Sequence, residues 1–479
     1  MRWMRHAGWR NVLDKPAVKV WLPWVVAAAF FMEQLDSTIL NTAVPAMALD
    51  FHVAPLSLKA VVASYILSLA VCIPVSGWMA DRFGTKRVFG SAVAVFTLSS
   101  VLCGLSLNVT MLVMARVLQG LGAAMMMPVG RLTIIRTFAR SELMTAMNFV
   151  IVPALIGPLL GPVVGGLVVH WLSWRVIFFI NVPVGVVAWL LSRWYMPDYR
   201  GQTSHPLDLR GLVLFGSGAA LLSWVLEIFG EHVMSLMAAI GWLLLALAIL
   251  ALYGWHERRE AFPLLRLHLF RVRTFRISVL GGFVTRLGVG GLPFLLPLLY
   301  QVGLGYAAWQ SGLMMMPIAL GAMGMKVASV RVLRRFGFRH VLIVNTVMVG
   351  VVIALYASVH AVTPIIWIVL LGFAQGFFSS LQFSGMNAMA YADIGEADSS
   401  MASTLASSMQ QMSLSFGLAC GTLLAGWYLG NVPQSHPLAV TNALHEALLT
   451  LSLLTVLSSL SFWGLRAKDG ENMSGASIA

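Results

Sequence analysis

Residues 60–104 read AVVASYILSLAVCIPVSGWMADRFGTKRVFGSAVAVFTLSSVLCG. Two apolar arms flank a short connector, and every charge of the stretch lies in that connector: Asp81, Arg82, Lys86 and Arg87. With its flanks, each arm has the length of about 20 residues that a helix needs to cross hydrocarbon. Gly77 and Gly84 bracket the connector, where backbones must approach or reverse. The stretch reads as two membrane-spanning helices joined by a tight polar turn.

Composition extends that reading to the whole chain. Of its 479 residues, 59% are hydrophobic and 10% charged, with a mean hydropathy of +0.85. A soluble domain carries charge on roughly a quarter of its positions, so the solvent here is lipid. The net charge of +13 does not signal nucleic acid, which needs a continuous basic face; these basic residues sit in short clusters between apolar runs. Cys72, Cys103 and Cys420 lie inside such runs without metal-ligand spacing, as small buried residues do. The first apolar stretch, Trp21 to Met47, is too long for a signal-peptide core and holds Glu33 and Asp36. It is expected to stay attached as a spanning helix.

Fourteen candidate spans follow, starting near residues 22, 58, 88, 109, 143, 175, 210, 233, 275, 311, 340, 363, 401 and 444. An N-terminus in the cytoplasm places Arg82, Lys86, Arg87, Arg131, Arg136 and Arg193 on the inner side. Arg331, Arg334, Arg335 and Arg339 join them there, and Lys59 and Arg175 fall at outer ends. Retained basic charge sets orientation, so both termini are expected inside. Two longer inner loops, 196–210 and 254–276, divide the chain into a six-helix bundle (1–200), two inserted helices with flanking loops (201–274) and a second six-helix bundle (275–479). Leu264, Leu265, Leu267, Leu269 and Phe270 stand among arginines in the second loop. They predict an amphipathic helix on the anionic inner surface, with a solvated linker as the alternative.

Four further stretches carry pattern. The fourth span holds Arg116-Val-Leu-Gln119-Gly120-Leu-Gly122-Ala; Met125 stands where a nucleotide-binding loop needs its third glycine, and no strand precedes it. The fifth holds Gly157-Pro158-Leu-Leu-Gly161-Pro162-Val-Val-Gly165-Gly166, in which glycines four apart share one helix face and prolines loosen the helix. The first and sixth hold Leu35-Asp36-Ser37-Thr38-Ile39-Leu40-Asn41-Thr42-Ala43-Val44-Pro45 and Trp174-Arg175-Val-Ile-Phe-Phe-Ile-Asn181-Val-Pro183-Val-Gly185.

With the connector at Gly77, these stretches resemble the signatures of the major facilitator superfamily, specifically its fourteen-helix drug:proton antiporters of the EmrB/QacA type, MdtD-like members most of all. The resemblance covers nearly the whole chain and implies an all-α membrane fold. It implies that Asp81 braces a partner helix while Arg82, Lys86 and Arg87 lock a conformational gate. It implies an antiporter motif at Gly157, Pro158, Gly161, Pro162, Gly165 and Gly166, and a bacterial plasma (inner) membrane location. Two departures stand out: the second-half connector carries Arg334 where the first has its acid, and the family pattern does not demand Glu33.

A charge at membrane depth costs at least about 2.5–3.5 kcal/mol, so each one needs a partner, water or a function. Six qualify: Glu33, Asp36, Arg116, Glu227, Arg286 and Lys326. Asp36 lies roughly 12 Å and Arg116 roughly 10 Å from the outer ends of their helices, which allows an ion pair across a cavity. Glu33 shares the Asp36 face, and two carboxylates so placed share one proton more readily than they carry two charges. Asp36, with Glu33, is expected to carry the coupling proton and Arg116 to release it; a structural salt bridge is the static alternative. Arg286, about eleven residues into its helix, is expected to face the cavity. Lys326 and Glu227 are read as reaching the interface along their stems. Asn41, Gln119, Gln375, Gln382, Gln410 and Gln411 line the cavity or join helices, two uses of buried amides that spacing does not separate. Met314-Met315-Met316 offers an adaptable apolar surface.

No phosphate-binding Gly-Lys-Ser/Thr loop occurs, so ATP does not drive this chain directly. An enzyme would need a nucleophile and base near one interface, and a channel a filter loop or rings of charge; neither is visible. The expected activity is proton-coupled export of small molecules by alternating access, with membrane lipid, protons and a small-molecule substrate as partners and the chain working as a monomer. No cofactor or metal is called for. The competing expectation, raised by Arg286, is transport of organic anions such as carboxylates or metal chelates.

Overall fold

A computed structural model describes residues 16–201, 206–229, 235–395, 398–430, 432–434, 436–466 and 469–470. Among the described residues, fourteen helices are long and apolar enough to cross a membrane. They are α1 (Ala17–Thr42), α2 (Pro55–Phe83), α3 (Thr85–Gly104), α4 (Val109–Thr137), α5 (Thr145–Trp171), α6 (Val176–Tyr195) and α7 (Leu209–Leu226). The remainder are α8 (Met237–Glu257), α9 (Arg273–Gly303), α10 (Ala308–Phe336), α11 (Phe338–Ser358), α12 (Ile365–Ala390), α13 (Ser399–Leu429) and α14 (Pro437–Gly464). Each begins within a few residues of its expected start. The largest departure is α14, which begins early because Pro437 takes the first helical position, where its fixed φ and missing N–H suit a helix start.

Successive helices run in opposite directions. One face therefore collects the start of α1, the α2–α3 connector and the Arg334–Arg339 turn, and is called here the basic face. α1 packs on α5 and α6, α4 on α2 and α3, and α3 on α6. In the later part of the chain α10 packs on α12, α11 on α12 and α14, and α9 on α13 and α14. α5 meets α10 and α2 meets α13, which joins the two groups. α7 and α8 pair with each other, and α7 reaches α13 and α2. α8 leaves Leu244, Leu247 and Leu252 exposed, as a helix wetted by lipid does.

α9 is not one straight rod. Gly290 and Gly291 interrupt it after Val289, and Pro293 and Pro297 follow in a short helix that ends in a π turn over Leu299–Gly303. Proline removes a backbone donor and loosens the preceding turn, so the helix bends here.

The 254–276 segment corrects the sequence reading. It holds a five-residue 3₁₀ turn, Leu267–Arg271, and Leu264, Leu265 and Leu269 are buried among α2, α7, α9 and α13 rather than laid on lipid. Pro263 opposes a continuous helix there. Polar ties then turn the leucines inward: Leu264 N donates to Asp208 Oδ2 (3.2 Å), and Leu265 N donates to the Tyr253 hydroxyl (2.9 Å), which donates back to Leu265 O (3.0 Å).

Candidate functional site

Asp36 and Arg116 meet, as their depths predict. Arg116 Nη1 lies 2.5 Å from Asp36 Oδ2, and each side chain is 1% exposed. Gln119 Nε2 (2.9 Å) and Asn181 Nδ2 (2.8 Å) both donate to Asp36 Oδ1. Gln119 also donates to the Ser100 hydroxyl (2.8 Å) and accepts from Arg116 Nη1 (2.7 Å). Arg116 Nε donates to Val61 O (3.3 Å), and its guanidinium lies 4.2 Å from the Tyr65 ring centroid. The cluster thus ties α1, α2, α3, α4 and α6 together.

It lies inside the first group of helices and not across a cavity, which corrects the expected placement. Both carboxylate oxygens of Asp36 accept hydrogen bonds. Glu33, one helical turn away, is treated oppositely: it is 5% exposed, and its Oε2 is buried without a hydrogen-bond partner, as is the Tyr65 hydroxyl. Depth counting finds the Asp36–Arg116 pair; the same count along α6 would add Asn181, which sequence reading leaves unassigned.

The cavity lies between the two groups of helices. It has a volume of about 380 Å³ and is lined from α1, α5, α9, α10 and α12. Of the expected liners it takes Asn41 and Gln375, and Pro158 and Pro162 of the α5 motif line it as well. Gln119 belongs to the Asp36 cluster instead. Gln382 joins helices, accepting from Asn345 Nδ2 (2.9 Å) and donating to Thr346 (2.7 Å). Gln410 and Gln411 are half-buried on α13 and outside the lining.

Lys326 reverses its expectation, because it lines the cavity. Arg286 is 5% exposed and stands behind the wall: its guanidinium is 5.0 Å from the ring centroid of Phe383, and Phe383 is a lining residue. Met315 of the methionine run also lines it. The side chain of Glu227 lies outside the described residues.

The α5 motif divides its glycines between two neighbours. A Cβ at Gly157 would sit 2.8 Å from Gln34 Cβ, and Cβ atoms at Gly161 and Gly165 would collide with Thr38 and with the Ile39 carbonyl, so these three hold α5 against α1. Gly166, rotated off that face, fits against the Ala308 carbonyl of α10, and Gly312 of α10 fits against the Pro162 carbonyl. Side chains at either position would part the two backbones. These contacts close the cavity toward the face away from the basic one. Gln301 Nε2 donating to Thr42 O (3.1 Å) and Leu56 N donating to Gln434 Oε1 (3.1 Å) add to the closure.

On the basic face, the α2–α3 connector is held by its own group of helices. Asp81 Oδ1 accepts from Arg136 Nη2 of α4 (3.3 Å), and its carbonyl accepts from Gly201 N (3.1 Å). Gly84 reverses the chain at φ 92°, a conformation that favours glycine. Gly77 is different: nothing lies within 4 Å of a Cβ placed there, so no close approach requires it. Lys86 is half-buried, and Arg82 and Arg87 are exposed. On the other face Asp50 accepts from Arg175 Nη1 (2.6 Å) and Trp174 Nε1 (3.1 Å), and the Arg175 hydrogen bond holds its carboxyl below the ordinary 3.8.

Comparison with known proteins agrees with this architecture. The family profile described as Major Facilitator Superfamily matches residues 26–417. A relative from Serratia proteamaculans (strain 568), named for multidrug resistance (MdtD), is 40% identical over 453 residues, 94% of this chain and 94% of its own. One of the same name from Klebsiella pneumoniae (strain 342) is 42% identical over 422 residues, 87% of this chain and 88% of its own. Among solved structures, an inward-facing, unoccupied bacterial homolog of the human lysosomal transporter Spinster superposes with a TM-score of 0.69 at 12% identity, covering 97% of this chain and 100% of that one. A D-xylose-proton symporter gives 0.66 at 15% identity, covering 94% and 98%. At such identities these likenesses speak to fold alone.

Proposed function

Because the chain belongs to the major facilitator superfamily, we propose that it exports small molecules in exchange for protons by alternating access, as a multi-pass protein of a bacterial inner membrane. The relatives named for multidrug resistance support an export role. With the basic face in the cytoplasm, both termini are inside. Residues 1–200 and 275–479 rock about the cavity, 201–274 rides along, and one chain suffices because it supplies the whole cavity wall. The observation that carries this reading is the closure: a cavity lined by both halves ends at the α5–α10 glycine contact.

The proton site in this proposal is Glu33. Adding a proton to Asp36 would break a buried pair, and losing one partner of such a pair costs about 3–5 kcal/mol. A proton on Glu33 instead removes a charge that no neighbour compensates. Gln34, the next residue, is what Gly157 packs against, so a change at Glu33 bears on the α1–α5 seam and through α5 on the closure. Asp36, Arg116 and Gln119 hold the scaffold around it. One proton moving inward through 100 mV releases about 2.3 kcal/mol, enough for a tenfold uphill gradient.

The test uses purified protein in proteoliposomes carrying an internal pH dye. Substrate entering an antiporting vesicle drives protons out, so internal pH should rise on addition. Glu33→Gln should abolish that signal while substrate exchange between two equal pools continues. If Glu33→Gln still moves protons at the parent rate, Glu33 is not the site. If no compound in a broad panel moves protons, the export reading itself fails.

A further inference from the structure

The carboxylates and the cations of the membrane interior are sorted with respect to the cavity. Glu33 and Asp36 are 5% and 1% exposed, and neither is among the residues lining it. Of the described residues that do line it, Lys326 alone bears a charge, and its side chain is exposed. Lys326 has no hydrogen bond or ion pair from its ammonium among the described residues.

Arg286 adds a second positive charge from behind the wall. It is 95% buried by its 5% exposure, yet it has neither a hydrogen bond nor an ion pair among the described residues. Among the described residues its one partner is the face of Phe383. A guanidinium has five N–H donors in a rigid fork, and burying them unmade is expensive compared with giving them an acceptor. Arg116 shows what this chain does with a buried guanidinium that serves the scaffold: it supplies a carboxylate and two further acceptors. Arg286 is given none. Phe383 itself lines the cavity, so Arg286 lies directly against the wall.

We propose that the cavity binds amphiphilic organic anions, a carboxylate or sulfonate head on a flat apolar body, with Lys326 and Arg286 holding the head. This rests on the export reading above and names its cargo class. Two cations with no carboxylate among the described lining residues attract an anion and repel a cation. The rest of the lining suits the body: Met315, Ile318, Met323 and Phe383 offer apolar, partly adaptable contact. The volume of about 380 Å³ lies in the range of small-molecule sites.

Charge accounting gives a second consequence. One proton moving in while one monoanion moves out carries two positive charges inward, whereas the same exchange with a monocation moves none. Export of an anion should therefore speed up under an inside-negative potential.

The binding test is equilibrium dialysis of the full-length purified protein against three probes that share one ring system: 1-naphthoate, 1-naphthamide and 1-naphthylmethylammonium. The expected result is that naphthoate is held at least about tenfold more tightly than the other two, a difference worth one charge-assisted contact. Lys326→Gln and Arg286→Gln should each weaken naphthoate by about tenfold and leave naphthamide within about twofold. Lys326 is exposed, so its variant tests the idea even where Arg286→Gln is lost to misfolding, and Arg286→Lys should keep part of the preference. An ammonium probe bound as tightly as the carboxylate, or two well-folded variants holding naphthoate like the parent, would overturn the proposal. Dialysis needs no proton gradient. Loss of export with the charge order intact would thus count against the transport reading, and export with the order reversed would count against this one.

Discussion

Arg116 and Arg286 are both buried guanidiniums at membrane depth, and the molecule treats them in opposite ways. Arg116, in the first group of helices, meets Asp36, Gln119 and the Val61 carbonyl. Arg286, in the later group, meets the face of one phenylalanine. The contrast separates two uses of charge in lipid. A cation surrounded by acceptors fixes helices against each other. A cation left short of acceptors, beside a cavity, is available to something that arrives from outside the chain.

The largest expected effect tests the first half of that contrast. Arg116→Gln leaves Asp36 as a buried anion without its counter-ion, which should destabilise the fold by about 3–5 kcal/mol. Thermal unfolding in detergent should show a clear drop or a failure to purify as a single species. Asp36→Asn combined with Arg116→Gln should recover much of the loss, since two neutral amides can bond each other and their neighbours. If the double variant is as unstable as the single one, the pair is not what holds these helices.

A second test turns to the seam between the groups. Gly312→Ala places a methyl against the Pro162 carbonyl, and Gly166→Ala places one against Ala308. Overpacking of this kind costs about 1–3 kcal/mol, charged to the closed arrangement and not to either group of helices. Such variants should stay folded but shift toward opening on the face away from the basic one. Reactivity of a cysteine introduced at Asn41 toward an impermeant thiol reagent added on that side should rise several-fold. Unchanged reactivity would mean that the glycine contact does not set the closure.

Much of this was legible in the sequence, for reasons that depend on distance along the chain. Spans are local: apolar length alone marks fourteen of them, and Gly84 announces its own reversal. The Asp36–Arg116 pair was legible because both residues are forced to find partners and depth along a helix is countable. What failed needed knowledge of neighbours. The leucines of 264–269 look amphipathic in sequence, but Asp208, just ahead of α7, and Tyr253 of α8 turn them inward. Lys326, close to a helix end, fits snorkelling until α12 and α5 are seen to form a cavity around it. Gln119 and Gln382, equal as buried amides, part company only when their partners are known.

The third test sharpens the Arg286 side. Replacing a buried, partnerless cation by an apolar chain of similar reach removes a desolvation penalty and breaks no pair. Arg286→Met should therefore leave the unfolding temperature in detergent unchanged or raise it, by an amount worth up to about 1 kcal/mol. A loss as large as that of Arg116→Gln would show that Arg286 has a structural partner, and the contrast between the two arginines would dissolve.

The smallest effect comes from a pair in water, where burial no longer magnifies charge. Asp50 and Arg175 tie the α1–α2 connection to the start of α6, with side chains 43% and 31% exposed. The Arg175 hydrogen bond, followed by that of Trp174, lowers the Asp50 carboxyl from 3.8. The folded chain thus keeps this group ionised to lower pH than the unfolded chain does. Between the two values the unfolded state binds more protons, so stability rises with pH. The contribution is fully present above pH 3.8 and is lost as pH falls through the lower, folded value. Exposure and salt limit it to under about 1 kcal/mol. Unfolding midpoints of the parent and of Asp50→Asn should differ slightly at pH 6 and converge toward pH 3. A difference that stays constant over that range would assign the effect to packing against Trp174 instead of to charge.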